Sequence, residues 1–223
     1  MKKLLPLLLG MTLTACAGQA EQVPANTDFK PDERPLGKTL VYECTGIEFI
    51  TRLGPGEMAL WLEDRYLILS QVRAASGTKY QEGDVVFWSK GEQVTLELDG
   101  VRYADCRLNP ARAPWEDARR RGVEFRAVGN EPGWYLEVRG EQHLLFVGDY
   151  GSSRHLFTEL TATEEGDELH YWGQSASESI AVTVSETFCA DSMKGEEFPY
   201  TVTVQLNNRI FSGCGRALDY PWN

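Results

Sequence analysis

The chain has 223 residues and a formal charge of −11, with 42% hydrophobic and 25% charged residues. That length and composition allow two small globular domains and bury a real core. An acidic balance argues against nucleic acid, which demands Lys and Arg against phosphate, and it would steer basic partners toward the surface.

In chain order, Lys2 and Lys3 precede an apolar run at 4–13 that is interrupted by Pro6 and Gly10. The run is too short to span a bilayer as a mature helix, so residues 1–15 read as a cleaved signal peptide. Removing them takes away two lysines and no acid and leaves −13. Leu13-Thr14-Ala15-Cys16 resembles the lipobox of bacterial lipoproteins. The resemblance implies lipidation of Cys16, a lipid-anchored protein of the bacterial cell envelope and, with Ala17 rather than Asp next, outer-membrane sorting facing the periplasm. Several acyl chains would hold the anchor firmly, at about 0.8 kcal/mol per buried methylene. Residues 16–38, rich in Gly, Ala, Gln, Pro and charge without periodicity, form a tether.

Segments 40–44, 48–53, 58–62, 65–69, 94–98 and 101–106 then read as short strands, with turn signals at Gly54-Pro55-Gly56, Glu63-Asp64 and Asp99-Gly100. Between them lies Ser76-Gly77-Thr78-Lys79-Tyr80-Gln81-Glu82-Gly83-Asp84-Val85-Val86-Phe87-Trp88-Ser89-Lys90-Gly91, a hairpin. A turn over 81–84 would set Tyr80 opposite Val85 and Ser76 opposite Ser89, with Lys90 one step further. Gly77 and Gly91 loosen both ends, so Ser76 and Lys90 can project from one rim. Phe87 and Trp88 read as core or barrel wall.

Asn109-Pro110-Ala111-Arg112-Ala113-Pro114 breaks the pattern, and 115–121 predicts a short helix with Pro114 at its start and Gly122 just past its end. Segments 123–128, 134–138, 143–147, 156–162, 168–172, 179–185, 200–206 and 210–214 are further strands, with a turn at Asn207-Asn208. The fold class is therefore all-β: two small antiparallel barrels or sandwiches, at 39–108 and 123–219, joined by a linker with a short helix at 109–122. The halves show no convincing internal repeat.

Cys44, Cys106, Cys189 and Cys214 remain after Cys16, an even number in an exported chain, and three pairings are possible. If there are two domains, the local pairs Cys44–Cys106 and Cys189–Cys214 follow. No C-x-x-C or paired-His spacing indicates a metal, and no cofactor is implied. His143, His155 and His170 stand outside any hydrolase motif, so they read as surface or strand residues and the chain as a non-enzyme. The acidic turn 163–167 lacks calcium-loop spacing, and Asp191-Ser192 reads as turn chemistry.

Ser76-Gly77-x-x-Tyr80 followed by Phe87-Trp88-x-Lys90-Gly91, with Tyr42-x-Cys44 before and Cys106 after, resembles the periplasmic and membrane-bound inhibitors of C-type lysozyme. The resemblance covers about residues 40–107. It implies an eight-stranded antiparallel barrel closed by a disulfide. It also implies Ser76 and Lys90 engaging the catalytic carboxyls of a C-type lysozyme, with Tyr80 supporting at the interface or in the barrel wall. Retaining glycosidases place two carboxyls roughly 5 Å apart, a target for one ammonium and one hydroxyl. A different function, binding of a small ligand or envelope component, would fit an open apolar cavity with Ser76 and Lys90 buried or apart. The second half, with Asn130-Glu131-Pro132-Gly133-Trp134 and Cys189-Ala190-Asp191-Ser192-Met193, resembles an uncharacterised domain of bacterial envelope proteins. That resemblance implies no activity.

Overall fold

The computed structural model describes residues 37–218. The expected leader, the lipidation residue Cys16 and all but the last two residues of the tether lie outside the described residues.

Eight strands come first: β1 (Thr39–Cys44), β2 (Ile47–Gly54), β3 (Glu57–Trp61), β4 (Tyr66–Val72), β5 (Thr78–Glu82), β6 (Val85–Lys90), β7 (Gln93–Leu98) and β8 (Val101–Leu108). Each pairs antiparallel with the next. β8 returns to β1 through Tyr42↔Leu108 and Glu43↔Arg107, which closes a barrel. Closure leaves no free edge to template aggregation. The two-residue alternation sends Phe49, Met58, Leu60, Leu69, Tyr80, Phe87 and Leu96 inward. At the centre, the Tyr42 ring lies 5.2 Å from Phe49 and 5.7 Å from Phe87. Asp99 (φ 52°) and Gly100 (φ 78°) form the β7–β8 turn in the left-handed region, the pairing that an Asp-Gly hairpin favours. The Cys44–Cys106 disulfide ties β1 to β8 beside the closing seam.

α1 (Ala113–Arg120) begins two residues before the predicted 115. Pro114 sits in its first turn, where the missing N–H is harmless, and Gly122 (φ 78°) follows its end. The helix is a charged wedge between the two barrels. Glu116 is fully buried and accepts from Arg112 and Arg119, both at 3.0 Å. Toward the first barrel, Asp117 accepts from the Thr39 hydroxyl at 2.7 Å, Arg112 pairs with Glu48, and the Arg120 guanidinium lies 4.2 Å over Trp61. Burial, with Arg119 alongside, lowers the Arg120 pKa to about 10. Just past the helix, Arg121 makes a fork onto buried Glu137 of the second barrel at 2.8 and 2.9 Å.

The second barrel uses β9 (Phe125–Gly129), β10 (Trp134–Arg139), β11 (His143–Gly148), β12 (Ser153–Phe157), β13 (Leu160–Glu165), β14 (Glu168–Gln174), β15 (Ser179–Ser185), a small hairpin of β16 (Cys189–Ala190) and β17 (Glu197–Phe198), then β18 (Tyr200–Leu206) and β19 (Arg209–Ala217). Nine strands form a sheet in the order β12-β11-β10-β9-β19-β18-β15-β14-β13, a nearly closed barrel. The segment 156–162, expected as one strand, is divided at residues 158–159: β12 and β13 stand at the two ends of the sheet. The bend between them spans the gap. Phe157 (1% exposed) and the half-buried Leu160 both pack on the core there. Gly173 of β14 makes room, since a Cβ at that position would come 2.9 Å from Leu160 and 3.1 Å from Phe157. The Cys189–Cys214 disulfide staples the β16–β17 hairpin to β19.

Candidate functional site

The β5–β6 hairpin is tighter than the sequence suggests. Glu82 pairs with Val85, Tyr80 with Phe87 and Thr78 with Ser89. The turn is therefore Gly83-Asp84 alone, with Gly83 at φ 55°, and the register is displaced by two residues from the expected one. A shift of two keeps every side chain on its face, but it moves Ser76 off the ladder. Ser76 lies in the loop that leads from β4 to β5, and Lys90 ends β6.

Gly77 brings the two together. Its φ is 72°, and a Cβ there would lie 2.1 Å from the Ser89 carbonyl oxygen and 3.1 Å from the Cβ of Lys90. Only glycine tolerates both the left-handed backbone and that approach. The loop backbone thus lies directly on the end of β6, and Ser76 and Lys90 share one rim. Both are exposed, and neither side chain has a partner among the described residues. Lys90 faces Gln93 across a two-residue turn in which Gly91 has φ 61°.

Tyr80 is placed differently. It is 6% exposed, packs 6.3 Å from Phe87 and belongs to the barrel core. Any contribution it makes to the rim is support from below. Phe87 is likewise core, at 2% exposed.

Trp88 alternates outward from Phe87, and its Nε1 donates to the Ser76 carbonyl at 2.9 Å. The indole clamps the loop that carries Ser76. Sequence reasoning assigned it to core or wall; the strict in–out alternation through Phe87 was the signal that it faces outward.

Beside Ser76, a groove of about 380 Å³ is lined by Arg73, Lys79 and Arg102 with one carboxylate, Glu97. Trp88, Val86 and Thr95 also line it. On a chain of net charge −11 this is a local concentration of cations. An exposed ammonium, an exposed hydroxyl and a cationic groove on one rim suit a partner that presents carboxylates.

Among the described residues the histidines form no reacting pair. His155 Nδ1 lies 2.8 Å from a Glu178 oxygen, and His170 Nδ1 lies 3.2 Å from the Thr183 hydroxyl, both outside any nucleophile–base arrangement. Among the described residues no group of three or more His, Cys, Asp or Glu could hold a metal, and no helix is long and apolar enough to cross a membrane. Asp191 does turn chemistry: its Oδ1 accepts from the amides of Met193 and Lys194 at 2.9 and 2.7 Å, and its Oδ2 accepts from Asn130 at 2.9 Å. Burial pushes this carboxyl upward most strongly, yet these donations together hold it below the ordinary Asp range.

The family match falls within the first barrel. Residues 42–105 match the family described as membrane-bound lysozyme-inhibitor of c-type lysozyme. The chain is 40% identical over 78 residues to a membrane-bound lysozyme inhibitor of C-type lysozyme from Yersinia enterocolitica, covering 34% of this chain and 67% of that protein. It is 34% identical over 116 residues to the protein of the same name from Escherichia coli K12, covering 50% of this chain and 98% of the relative. A third, from Pseudomonas aeruginosa, is 34% identical over 116 residues, with 44% and 88% covered. No solved structure matches the chain.

Proposed function

Because the chain belongs to the family of membrane-bound inhibitors of C-type lysozyme, we propose that its first barrel inhibits a C-type lysozyme by setting the rim of Ser76 and Lys90 into the enzyme's cleft. One observation carries the reading. Gly77 lies against Ser89 and Lys90 so closely that no side chain fits, and this joins an unpartnered hydroxyl and an unpartnered ammonium on one exposed edge. Lys90 pairs with the ionised carboxylate of the cleft, and Ser76 bonds the protonated one. The Arg73, Lys79 and Arg102 groove extends the cationic contact, and Tyr80 holds the rim from inside the barrel. Inhibition is steric occlusion with electrostatic anchoring, and no bond is made or broken. The alternative, a small-ligand or envelope-component binding module with both barrels as receptors, would be favoured by an open apolar cavity with Ser76 and Lys90 buried or apart, and the exposed rim gives it no support.

We further propose that the protein acts while tethered: Cys16, lipidated at the start of the mature chain, anchors it in the outer membrane facing the periplasm. Cys16→Ser should release it from membranes into the soluble fraction.

The deciding experiment titrates the oxidised protein against a C-type lysozyme on cell-wall substrate, beside Ser76→Ala and Lys90→Ala. Truncating one member of a desolvated charge pair costs roughly 2–5 kcal/mol, so Lys90→Ala should weaken inhibition at least about thirtyfold and Ser76→Ala less. Absence of inhibition by the folded wild type against several C-type lysozymes would defeat the proposal.

A further inference from the structure

A cleft of about 470 Å³ opens at the rim of the second barrel, next to the start of α1. That size lies in the range of small-ligand sites, roughly 300–1,000 Å³. Asn130 and Gly133 belong to its walls, and so do Asp191, Met193 and Lys194. The two stretches of the second half that lysozyme binding leaves without a role therefore meet here.

The group that equips the cleft is Arg126. Its side chain is only 9% exposed and lines the cavity. Nη1 donates to Glu137 and Nε is enclosed, but Nη2 has no acceptor among the described residues and is not enclosed. Two rings of the wall fix the guanidinium: its Cζ lies 4.4 Å from the ring centroid of Tyr135 and 5.6 Å from that of Trp115. A fixed, desolvated guanidinium with a free N–H edge is a ready receptor for an oxyanion.

The surrounding charges leave room for one anion. Arg126, Glu137, Arg121, Asp117 and Arg52 form a single chain of ion pairs, three arginines against two carboxylates. The wall's own carboxylates are occupied. Asp191 accepts from Asn130 and from two amides, with Lys194 alongside, and Glu196 accepts from Arg216 at 2.9 Å. One positive charge is thus uncompensated, and the chain of pairs ends at the cleft with Arg126. Burial disfavours a charge there and lowers the Arg126 pKa. An anion on Nη2 would offset that cost. The start of α1 lies beside the cleft, and the positive end of its dipole acts with the same sign.

The remaining walls suit an apolar body: Pro110, Pro114, Tyr150 and Met193 line them. Tyr150 is 81% exposed, yet its left-handed backbone (φ 56°, ψ 33°) is pinned. Its amide donates to the Gly133 carbonyl at 2.9 Å, and Arg209 holds the neighbouring Asp149 with bonds of 3.1 and 3.2 Å. A solvent-facing ring is therefore fixed at the mouth. We propose that this cleft binds an organic monocarboxylate, with the carboxylate on Arg126 and an apolar body against Tyr150 and the two prolines. A phosphate dianion would exceed the single free charge and leave the apolar walls uncovered. The site shares no residue with the rim of Ser76 and Lys90, so the proposal stands independently of lysozyme inhibition.

The test titrates the oxidised, detergent-solubilised full chain with N-acetyl-phenylalanine and, separately, with its neutral counterpart N-acetyl-phenylalaninamide and with inorganic phosphate, followed by calorimetry and tryptophan fluorescence. Saturable binding of the carboxylate is expected, at least about tenfold tighter than the amide, a difference of about 1.4 kcal/mol, and tighter than phosphate. Arg126→Lys keeps a charge beside Glu137 and removes the guanidinium edge; it should weaken the carboxylate at least about tenfold and leave the amide unchanged. Tyr150→Ala, at an exposed position, should weaken carboxylate and amide alike. The two phenylalanine ligands differ in charge at one group, so their comparison on the wild type decides even where Arg126→Lys lowers the unfolding midpoint. No saturable binding of the carboxylate, equal affinity for the amide, phosphate binding as tightly, or a folded Arg126→Lys binding like wild type would each overturn the proposal.

Discussion

Gly77→Ala is the most informative single change in the first barrel. Its cost has two separable parts. An alanine at φ 72° takes on a left-handed backbone, worth about 1–2 kcal/mol. Its Cβ would also meet the Ser89 oxygen at 2.1 Å, so that oxygen must retreat by about 0.9 Å to reach the 3.0 Å that real Cβ contacts respect. Forcing such a shift in packed structure adds about 1–3 kcal/mol. Gly83→Ala isolates the first part: its φ is 55°, but nothing lies within 4 Å of the added Cβ, and it occupies the turn at the other end of the same hairpin. Amide exchange of the core strands should show the first barrel destabilised by about 2–5 kcal/mol in Gly77→Ala and by about 1–2 kcal/mol in Gly83→Ala. Inhibition of lysozyme should weaken about tenfold or more in Gly77→Ala, because Ser76 and Lys90 are pushed apart, and less than about twofold in Gly83→Ala. Equal effects of the two substitutions, on stability and inhibition alike, would refute the close-approach reasoning.

Trp88→Phe keeps the ring and removes the 2.9 Å bond to Ser76; it should cost the barrel about 0.5–1.5 kcal/mol while raising exchange at 73–77 and weakening inhibition several-fold, read from inhibition constants and loop exchange. Replacing Cys44 and Cys106 by alanine opens a loop of 62 residues and should destabilise the first barrel by about 4 kcal/mol, seen as a lower urea midpoint and lost inhibition. The Cys189–Cys214 pair closes only 25 residues, and its removal should loosen the β16–β17 hairpin without touching inhibition. Asp191, held low by its donors, contributes stability that is fully present above its unfolded pKa of about 3.9 and is lost as pH falls through its depressed folded value. Exchange at 191–194 should therefore rise in acid in the wild type, and Asp191→Asn should flatten that dependence.

Much of the fold was legible because its rules are local. Alternation gave 179–185 and 200–206 the same bounds as β15 and β18, and Asn207 adopts the positive φ (52°) that its turn required. Where the signal failed, geometry beyond the sequence window decided. Alternation breaks within 156–162 at the polar pair Thr158-Glu159, but that pair alone does not tell that β12 and β13 stand at opposite ends of the sheet. Strands of two residues, as in β16 and β17, have no period to detect, and a distant disulfide holds them. The hairpin register was recoverable: Gly83-Asp84 is itself a two-residue turn signal. The juxtaposition of Ser76 and Lys90 was legible only as a resemblance, because the contact that enforces it lies between Gly77 and a carbonyl oxygen on another strand.

Cation placement shows how an acidic chain keeps a cationic face. The arginines around α1 are engaged in structural pairs: Arg52 with Asp117, Arg112 and Arg119 with Glu116, Arg121 and Arg126 with Glu137. Farther on, Arg209 is tied to Asp149 and Arg216 to Glu196. Buried or networked, these charges hold the barrels to the helix and to their own loops, and their fields are largely cancelled locally. Arg73, Lys79, Lys90 and Arg102 have no carboxylate partner among the described residues, and they cluster by the Ser76 loop. Their field is therefore a part of the positive charge left to act on a partner, at a range of about 8–10 Å in physiological salt. Raising the ionic strength should accordingly slow association with lysozyme. Arg73→Ala, at the edge of the groove, should reduce that salt dependence through the association rate, and Lys90→Ala should act mainly on dissociation. Stopped-flow measurements of both rates across a salt series separate the two, and a salt-independent association rate would show that the cluster plays no part in recognition.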